Sequence, residues 1–417
     1  MGVVKHPLER PEHPAKASPF KGFRPSGAGP QRDTRAGRGA VTRRPRVLMI
    51  GKFFPPVLGG IEEYVKSLAD LLGERYDLTV LVHSQDRATH RESQPGYRLV
   101  RAGTWATVAS QPLSPAMLRE VLAERYDLIH LHVPNVLGLA LVSAFSRGAR
   151  IVVTHHADMV GFGLAGRIAA AIYRRMLRRC EVVTVLSLKN RDLAEDVRGV
   201  DVPFAALPLA IDPARYAETE TVREHAAHLR RTFAADGSVL FAFVGRLVPY
   251  KGLDVLVEAM RHVEGARCLI AGDGKERESL QAAAAAAGVA DRMVFLGAVD
   301  EDMKIGLLRA ADAFVLPSIS TAEAFGIVQV EAQLCGLPIV TTDLPTGVTD
   351  VTRHEETGLV VPPGDAALLA AAMRRLVADA AFRRRLGAGG LARAQGNYVP
   401  DAVRRTAFEI YDRALGS

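Results

Sequence analysis

Cysteine is scarce in this 417-residue chain: Cys180, Cys268 and Cys335 stand far apart, with no metal-ligand spacing among them. Their scatter argues against a disulfide framework or a zinc module and suits a reduced, cytoplasmic protein. Long apolar runs are missing too. None approaches the ~20 residues that a helix needs to span a bilayer, so the chain reads as soluble or peripheral. The N-terminal segment has no apolar core of the kind a secretory signal requires. A distributed basic surface is also lacking. The formal charge is +7, but residues 1–45 alone hold ten Lys and Arg against Glu9, Glu12 and Asp33. The body is therefore neutral, and no nucleic-acid partner is indicated. Rich in Pro, Gly and Arg and without hydrophobic period, residues 1–45 are expected to be a disordered basic tail.

What is present, at length, is alternation. "RPRVLMIGKFFPPVLGGIEEYVKSLADLLGER" reads as strand, Gly/Pro loop and amphipathic helix. "YDLTVLVHS", "YDLIHLHVPN" and "ARIVVTHHAD" repeat the strand theme. The pattern loosens over 201–236, then restarts with "SVLFAFVGRL", "ARCLIAGDG", "RMVFLGAVD", "AFVLPS" and "LPIVTTD". Strands alternating with helices imply parallel, doubly wound α/β sheets. Two such Rossmann-like domains are expected in tandem, over 46–208 and 209–397, with a last helix in 398–417. Ligands of these sheets bind beyond the C-terminal ends of the strands. The glycine-rich and polar clusters fall at those ends, and two facing domains would gather them into one cleft.

Within "TAEAFGIVQVEAQLCG" the carboxylates Glu323 and Glu331 stand eight positions apart. On one α-helix they would point about 80° from each other. To serve one site, Glu323 must precede the helix and Glu331 lie two turns inside it. Gly326 allows close backbone approach, and the helix start offers N–H groups to an anion. Glu323 can accept hydrogen bonds from sugar hydroxyls, and Glu331 from a ribose; a buried, ion-paired acid is the plainer account of Glu331. "FVGRLVPYKG" sets Arg246 and Lys251 in a loop after Gly245, two cations able to neutralise a diphosphate. "PPVLGGIEEY" puts Gly59 and Gly60 before a helix, a phosphate turn or an ordinary one. His132, at a strand end before Val-Pro-Asn, is placed to meet a donor or acceptor hydroxyl. His155, His156 and Asp158 make a poor metal site, because neighbours in one strand point to opposite faces.

Taken together, "GGIEEY", "GRLVPYKG", "AGDG" and above all Glu323-x7-Glu331 resemble the retaining GT-B glycosyltransferases of family 4 over about residues 46–417. The segment around "EAFG" and the "LPTGV" loop resemble the branch that builds bacterial surface polysaccharides. The resemblance implies two facing Rossmann-like domains with an interdomain cleft and a C-terminal crossover helix packing on the first domain. It implies transfer of a hexose, mannose or similar, from a GDP- or UDP-sugar to a glycan or lipid-linked acceptor, without metal or resident cofactor. Arg246 and Lys251 would bind the donor diphosphate. Glu323 with the Phe325-Gly326-Ile327 backbone would hold sugar and phosphate, and Glu331 the ribose. Gly59 and Gly60 would line a phosphate loop, with His132 at the transferring sugar. Gly272, Asp273 and Gly274, together with Phe295, Leu296 and Gly297, would lie against the base. Two rivals share the architecture: a nucleotide-sugar 2-epimerase and an inactive sugar-nucleotide-binding partner subunit.

"GLAGRIAAAIYRRMLRRC" reads as a basic amphipathic helix. Its arginines are expected on one face and Ile168, Ile172, Met176 and Cys180 on another. It is either a surface helix packed on its own sheet or a docking face for the anionic inner surface of the plasma membrane.

Overall fold

A computed structural model of the protein describes residues 20–21, 43–57, 59–108, 111–158 and 163–416. Runs of β-branched and aliphatic residues, such as Val182–Val185 and Ile339–Thr342, form fully buried strands, as expected when helices cover both faces of a parallel sheet. The first sheet runs Phe20–Lys21, Phe204–Ala206, Val182–Val185, Arg150–His155, Leu128–Val133, Arg46–Ile50, Asp77–His83, Tyr97–Ala102, His90–Gln94. Its seven inner strands are parallel, and the strands at its two edges are antiparallel to their neighbours. The second sheet is parallel throughout, in the order Met293–Gly297, Ala266–Ala271, Val239–Val244, Ala313–Leu316, Ile339–Thr342, Gly358–Val361.

Both orders reverse beside the first of their parallel strands. Chain order turns around between Arg46–Ile50 and Leu128–Val133 in one sheet, and between Val239–Val244 and Ala313–Leu316 in the other. At such a switch point the loops leave in opposite directions and open a crevice at the strands' C-terminal ends. Asn135 bridges the first one, its Nδ2 donating to Gly51 O at 2.8 Å.

Helix Pro400–Leu415 completes the first domain. Proline at its first turn fixes the entry, and Ala402, Val403, Ala407, Ile410, Tyr411 and Ala414 are buried. Tyr411 packs 5.3 Å from the Tyr76 ring and meets His130 Nδ1, while Tyr76 donates to Asp412 at 3.0 Å. The chain thus crosses back to pack on its own first domain.

Three features depart from expectation. Most of the tail lies outside the described residues, but Phe20–Lys21 pairs with Phe204–Ala206. That strand is otherwise an edge with unpaired backbone groups, which any extended segment can satisfy. Two hairpins, His90–Gln94 with Tyr97–Ala102 and Ala106–Val108 with Gln111–Leu113, interrupt the α/β alternation. The third is the basic helix, Gly163–Leu177. Ala169, Tyr173, Met176 and Leu177 are buried against the sheet, whereas Ile168 and Ile172 stay 54% and 40% exposed. Adjacent helical positions differ by 100°, so a stripe through 169, 173 and 176 turns the isoleucines outward, on the side of the exposed Arg175. Ile168 and Ile172 therefore do not share the packed face of Met176.

Candidate active site

Lys251 and Glu323 meet at the switch point of the second sheet. Lys251 ends the short 3-10 turn Pro249–Lys251 that follows Val239–Val244, and Glu323 sits in the loop after Ala313–Leu316. Lys251 Nζ donates to Glu323 Oε2 across 2.5 Å, and Ser318 Oγ donates to the same oxygen at 3.0 Å. Both charged residues are buried. Opposite charges taken out of water need such partners to offset their desolvation, and the hydroxyl of Ser318 serves Glu323 this way.

Three residues beyond Glu323, Gly326 begins the helix Ile327–Leu334. Its φ of 68° is left-handed, and a Cβ would lie 2.6 Å from Gln329 Nε2 and 2.8 Å from Leu316 Cδ2. Only glycine fits. No side chain caps this helix. The Gln329 N–H turns back to Gly326 O at 2.9 Å, and the N–H groups of Ile327 and Val328 remain available to an anion, with the positive end of the helix behind them. Ile327 is half-buried there, and Phe325 is buried and edge-on to Tyr398, their ring centroids 5.8 Å apart.

Glu331 stands one turn inside the helix, not two, because the helix starts at Ile327. Its carboxylate lies 3.4 Å from Lys304 Nζ and beside the Tyr216 hydroxyl, whose ionisation is opposed first by burial and then by Glu331. Arg246, by contrast, is exposed and has no ion pair among the described residues. Gly245, Gly272 and Gly297 end three adjacent strands, joined by Gly245 N–H to Ala271 O (3.0 Å) and Gly272 N–H to Gly297 O (2.7 Å). Asp273 is exposed and accepts from Gly274 N–H at 2.8 Å. Phe295 and Leu296 are half-buried on the neighbouring strand.

Across the cleft, the first domain places its candidates differently. Gly59 precedes the helix Gly60–Leu72, and both glycines are exposed. The Glu62 carboxylate folds over Gly59, where a Cβ would lie 2.1 Å from Oε2; its charge disfavours an anion at that turn. His132 is buried, with Nδ1 3.1 Å from His156 Nε2 and its own Nε2 unpartnered among the described residues. Its ring stacks on His156 at 5.4 Å and lies 4.4 Å from His130. Desolvation, reinforced by the neighbouring imidazoles, holds His132 well below the ordinary value and His130 down to about 3. Both are neutral near pH 7. His155 faces the other way, 3.2 Å from Tyr173 OH and 3.3 Å from Asp158. Among the described residues no group of three or more His, Cys, Asp or Glu is arranged to hold a metal.

Sequence reasoning missed four contributors: Ser318, Lys304, Tyr216 and His156 as the partner of His132. Ser318 carries a faint signal, a polar residue directly after a buried strand and its proline. Lys304 and Tyr216 carry none, because their relation to Glu331 exists only in three dimensions.

Comparison with known proteins bears on the family and the fold. Residues 58–215 match the model described as Glycosyltransferase Family 4, and residues 226–393 the model described as Glycosyl transferases group 1. A D-inositol 3-phosphate glycosyltransferase of Acidothermus cellulolyticus is 31% identical over 87% of this chain and 89% of its own. A GDP-mannose-dependent alpha-(1-6)-phosphatidylinositol monomannoside mannosyltransferase of Mycolicibacterium smegmatis is 27% identical over 82% of this chain and 92% of its own. In fold, Anabaena HepE, solved in complex with UDP, superposes with a TM-score of 0.70 at 19% identity, over 88% of this chain and 99% of that one. With the two family models matched over most of the chain and a doubly wound sheet in each half, the chain belongs to the family 4 glycosyltransferases of GT-B fold, hexosyltransferases that draw on a nucleotide sugar.

Proposed function

We propose that the chain moves a hexose, mannose first among candidates, from a nucleoside-diphosphate sugar to a glycan or lipid-linked acceptor, with retention and without metal. The observation that carries this reading is the buried Lys251–Glu323 pair beside an uncapped helix start. Departure of the nucleoside diphosphate builds negative charge on its β-phosphate. Lys251, Arg246 and the N–H groups of Phe325–Ile327 are aimed at that charge, which is the electrostatic work a divalent ion performs in other transferases. Glu323, already held by Lys251 and Ser318, accepts from sugar hydroxyls and fixes the anomeric carbon. Glu331 takes the ribose, and the loops at Gly272–Gly274 and Phe295–Gly297 flank the base. His132 lies behind the acceptor side as a neutral imidazole able to hold a hydroxyl.

Retention follows from attack on the face the diphosphate leaves. The acceptor oxygen bonds to the anomeric carbon as the carbon–phosphate oxygen bond breaks, and its proton passes to the departing phosphate. Glu323 stands at the sugar hydroxyls, so no carboxylate nucleophile is invoked. The work is placed at the inner face of the plasma membrane, where the exposed Ile168 and Ile172 amid arginines suit peripheral contact with anionic lipid.

GDP-mannose leads the donors because two mycobacterial relatives are named as dependent on it; UDP-hexoses follow. The test is incubation with GDP-mannose or UDP-glucose, membrane-extracted lipids and a chelator, with linkage and anomeric analysis of the product. An α-linked product undiminished by chelation is expected. Donor isomerisation without acceptor would make the protein an epimerase, and nucleotide binding without turnover a partner subunit.

A further inference from the structure

The first domain reaches into the loop that carries Glu323. Asn190, in the short helix Leu188–Leu193 after strand Val182–Val185, accepts through Oδ1 from the Gly347 N–H at 3.1 Å. The same N–H donates to Ala324 O at 2.9 Å. One amide proton thus joins three segments: the first domain, the turn at Gly347 that opens the short helix Val348–Val351, and the residue next to Glu323. The fit is close. A Cβ on Gly347 would lie 2.5 Å from Phe325 Cδ2, 2.9 Å from Ser187 Cβ and 3.0 Å from Ala324 O. Neighbouring contacts fix the register: Ser187 donates to Asp350, and Lys189 donates to Thr349 and lies 3.5 Å from Asp350.

Between strand Ala313–Leu316 and helix Ile327–Leu334 the second domain holds the loop at its start, by Ile319 N–H to Tyr250 O at 2.9 Å and Thr342 Oγ1 to Ser318 O at 2.5 Å. It also holds the loop at Glu323, by its N–H to Ser320 O at 3.1 Å and by Lys251 and Ser318 on its carboxylate. Ala324, next along, has its carbonyl taken by the Gly347 N–H. We propose that Asn190 is a positioning residue: through Gly347 and Ala324 the first domain sets the Glu323 carboxylate, so the sugar subsite is complete only while the two domains are docked here. The inference rests on the reading that Glu323 holds the donor sugar. The nucleoside diphosphate is held chiefly by Lys251, Arg246 and Glu331, none of which the bridge touches directly. Catalytic groups need placement within a fraction of an ångström, and this bridge supplies it from the opposite domain.

Hydrogen exchange of the substrate-free chain tests the bridge without any donor. Asn190→Ala should speed exchange in residues 321–328 about tenfold, the weight of one hydrogen bond. Asn190→Asp, which keeps an acceptor for Gly347 N–H, should restore protection. In kinetics, Asn190→Ala should lower kcat with GDP-mannose about tenfold while GDP binds within twofold of wild type, and Asn190→Asp should recover most of kcat. Unchanged exchange at 321–328 in Asn190→Ala, or an Asn190→Asp variant as impaired as Asn190→Ala, would overturn the proposal. Wild-type inactivity with GDP-mannose would overturn the donor assignment instead, and the exchange experiment would still decide the bridge.

Discussion

Lys251 and Glu323, 72 residues apart in sequence, share one short hydrogen bond in a buried setting that Ser318 completes. Breaking such a pair from one side leaves a charge without a partner in low dielectric. Lys251→Met should therefore destabilise the chain by about 3–5 kcal/mol. Adding Glu323→Gln should restore a good part of that loss, since no bare carboxylate remains. Urea unfolding of the two single variants and the double variant measures the coupling, and strict additivity would show that the pair is not coupled.

In kinetics Glu323→Gln alone, though it also leaves Lys251 without its carboxylate partner, should act chiefly on turnover. The amide keeps the shape but forfeits the charge that orders sugar hydroxyls, and kcat should fall about a hundredfold with donor binding little changed. Glu331→Gln should do the reverse. It loses the tie to Lys304 and Tyr216, and donor Kd should rise about tenfold, ~1.4 kcal/mol, with kcat nearly intact. Calorimetric titration with donor and initial-rate kinetics separate the two.

Acid should find the buried histidines. In the folded chain His130 is held down to about 3 and His132 well below 6.5, so unfolding takes up protons as each imidazole reaches water. Stability is complete above pH 6.5 and falls as the pH drops from there toward 3, by about 1.4 kcal/mol per pH unit for each group. His156, Tyr64, Tyr411 and Thr154 surround the pair without offering a carboxylate among the contacts described. His132→Asn should flatten the acid limb by close to one proton's slope, read from urea unfolding at pH 7, 6, 5 and 4.

The face of Gly163–Leu177 gives a fourth test. Ile168→Ser with Ile172→Ser should cut co-sedimentation with anionic vesicles at least tenfold, since each buried isoleucine contributes about 1.5–3 kcal/mol. Folding stability should hold, because both side chains already face solvent. Binding that is equal on neutral and anionic vesicles would remove the arginines from the account.

Much of this was open to reading in one dimension. Apolar runs closed by glycine announce the strands and their ligand-bearing ends, and an eight-residue gap already puts Glu323 outside the helix that carries Glu331. Other parts were closed to it. The hairpin strand His90–Gln94 is polar and exposed along much of its length, so it lacks the apolar signal of the parallel strands. Lys304 announces nothing about Glu331 in sequence, and neither does Asn190 about Gly347. On the basic helix, two overlapping apolar stripes compete for the sheet. The one containing Tyr173 wins because its ring stacks on His155, a contact no helical wheel contains.

Tyr411 meets His130 from 281 positions further along the chain. During synthesis the first domain therefore leaves the ribosome with the seat of helix Pro400–Leu415 empty, and it stays so while the second domain is made. Tyr76 and His130 gain these partners only after the whole of the second domain has been made. A nascent chain stalled before residue 400 should carry a folded second domain joined to a first domain still exposing apolar surface, a natural target for a chaperone.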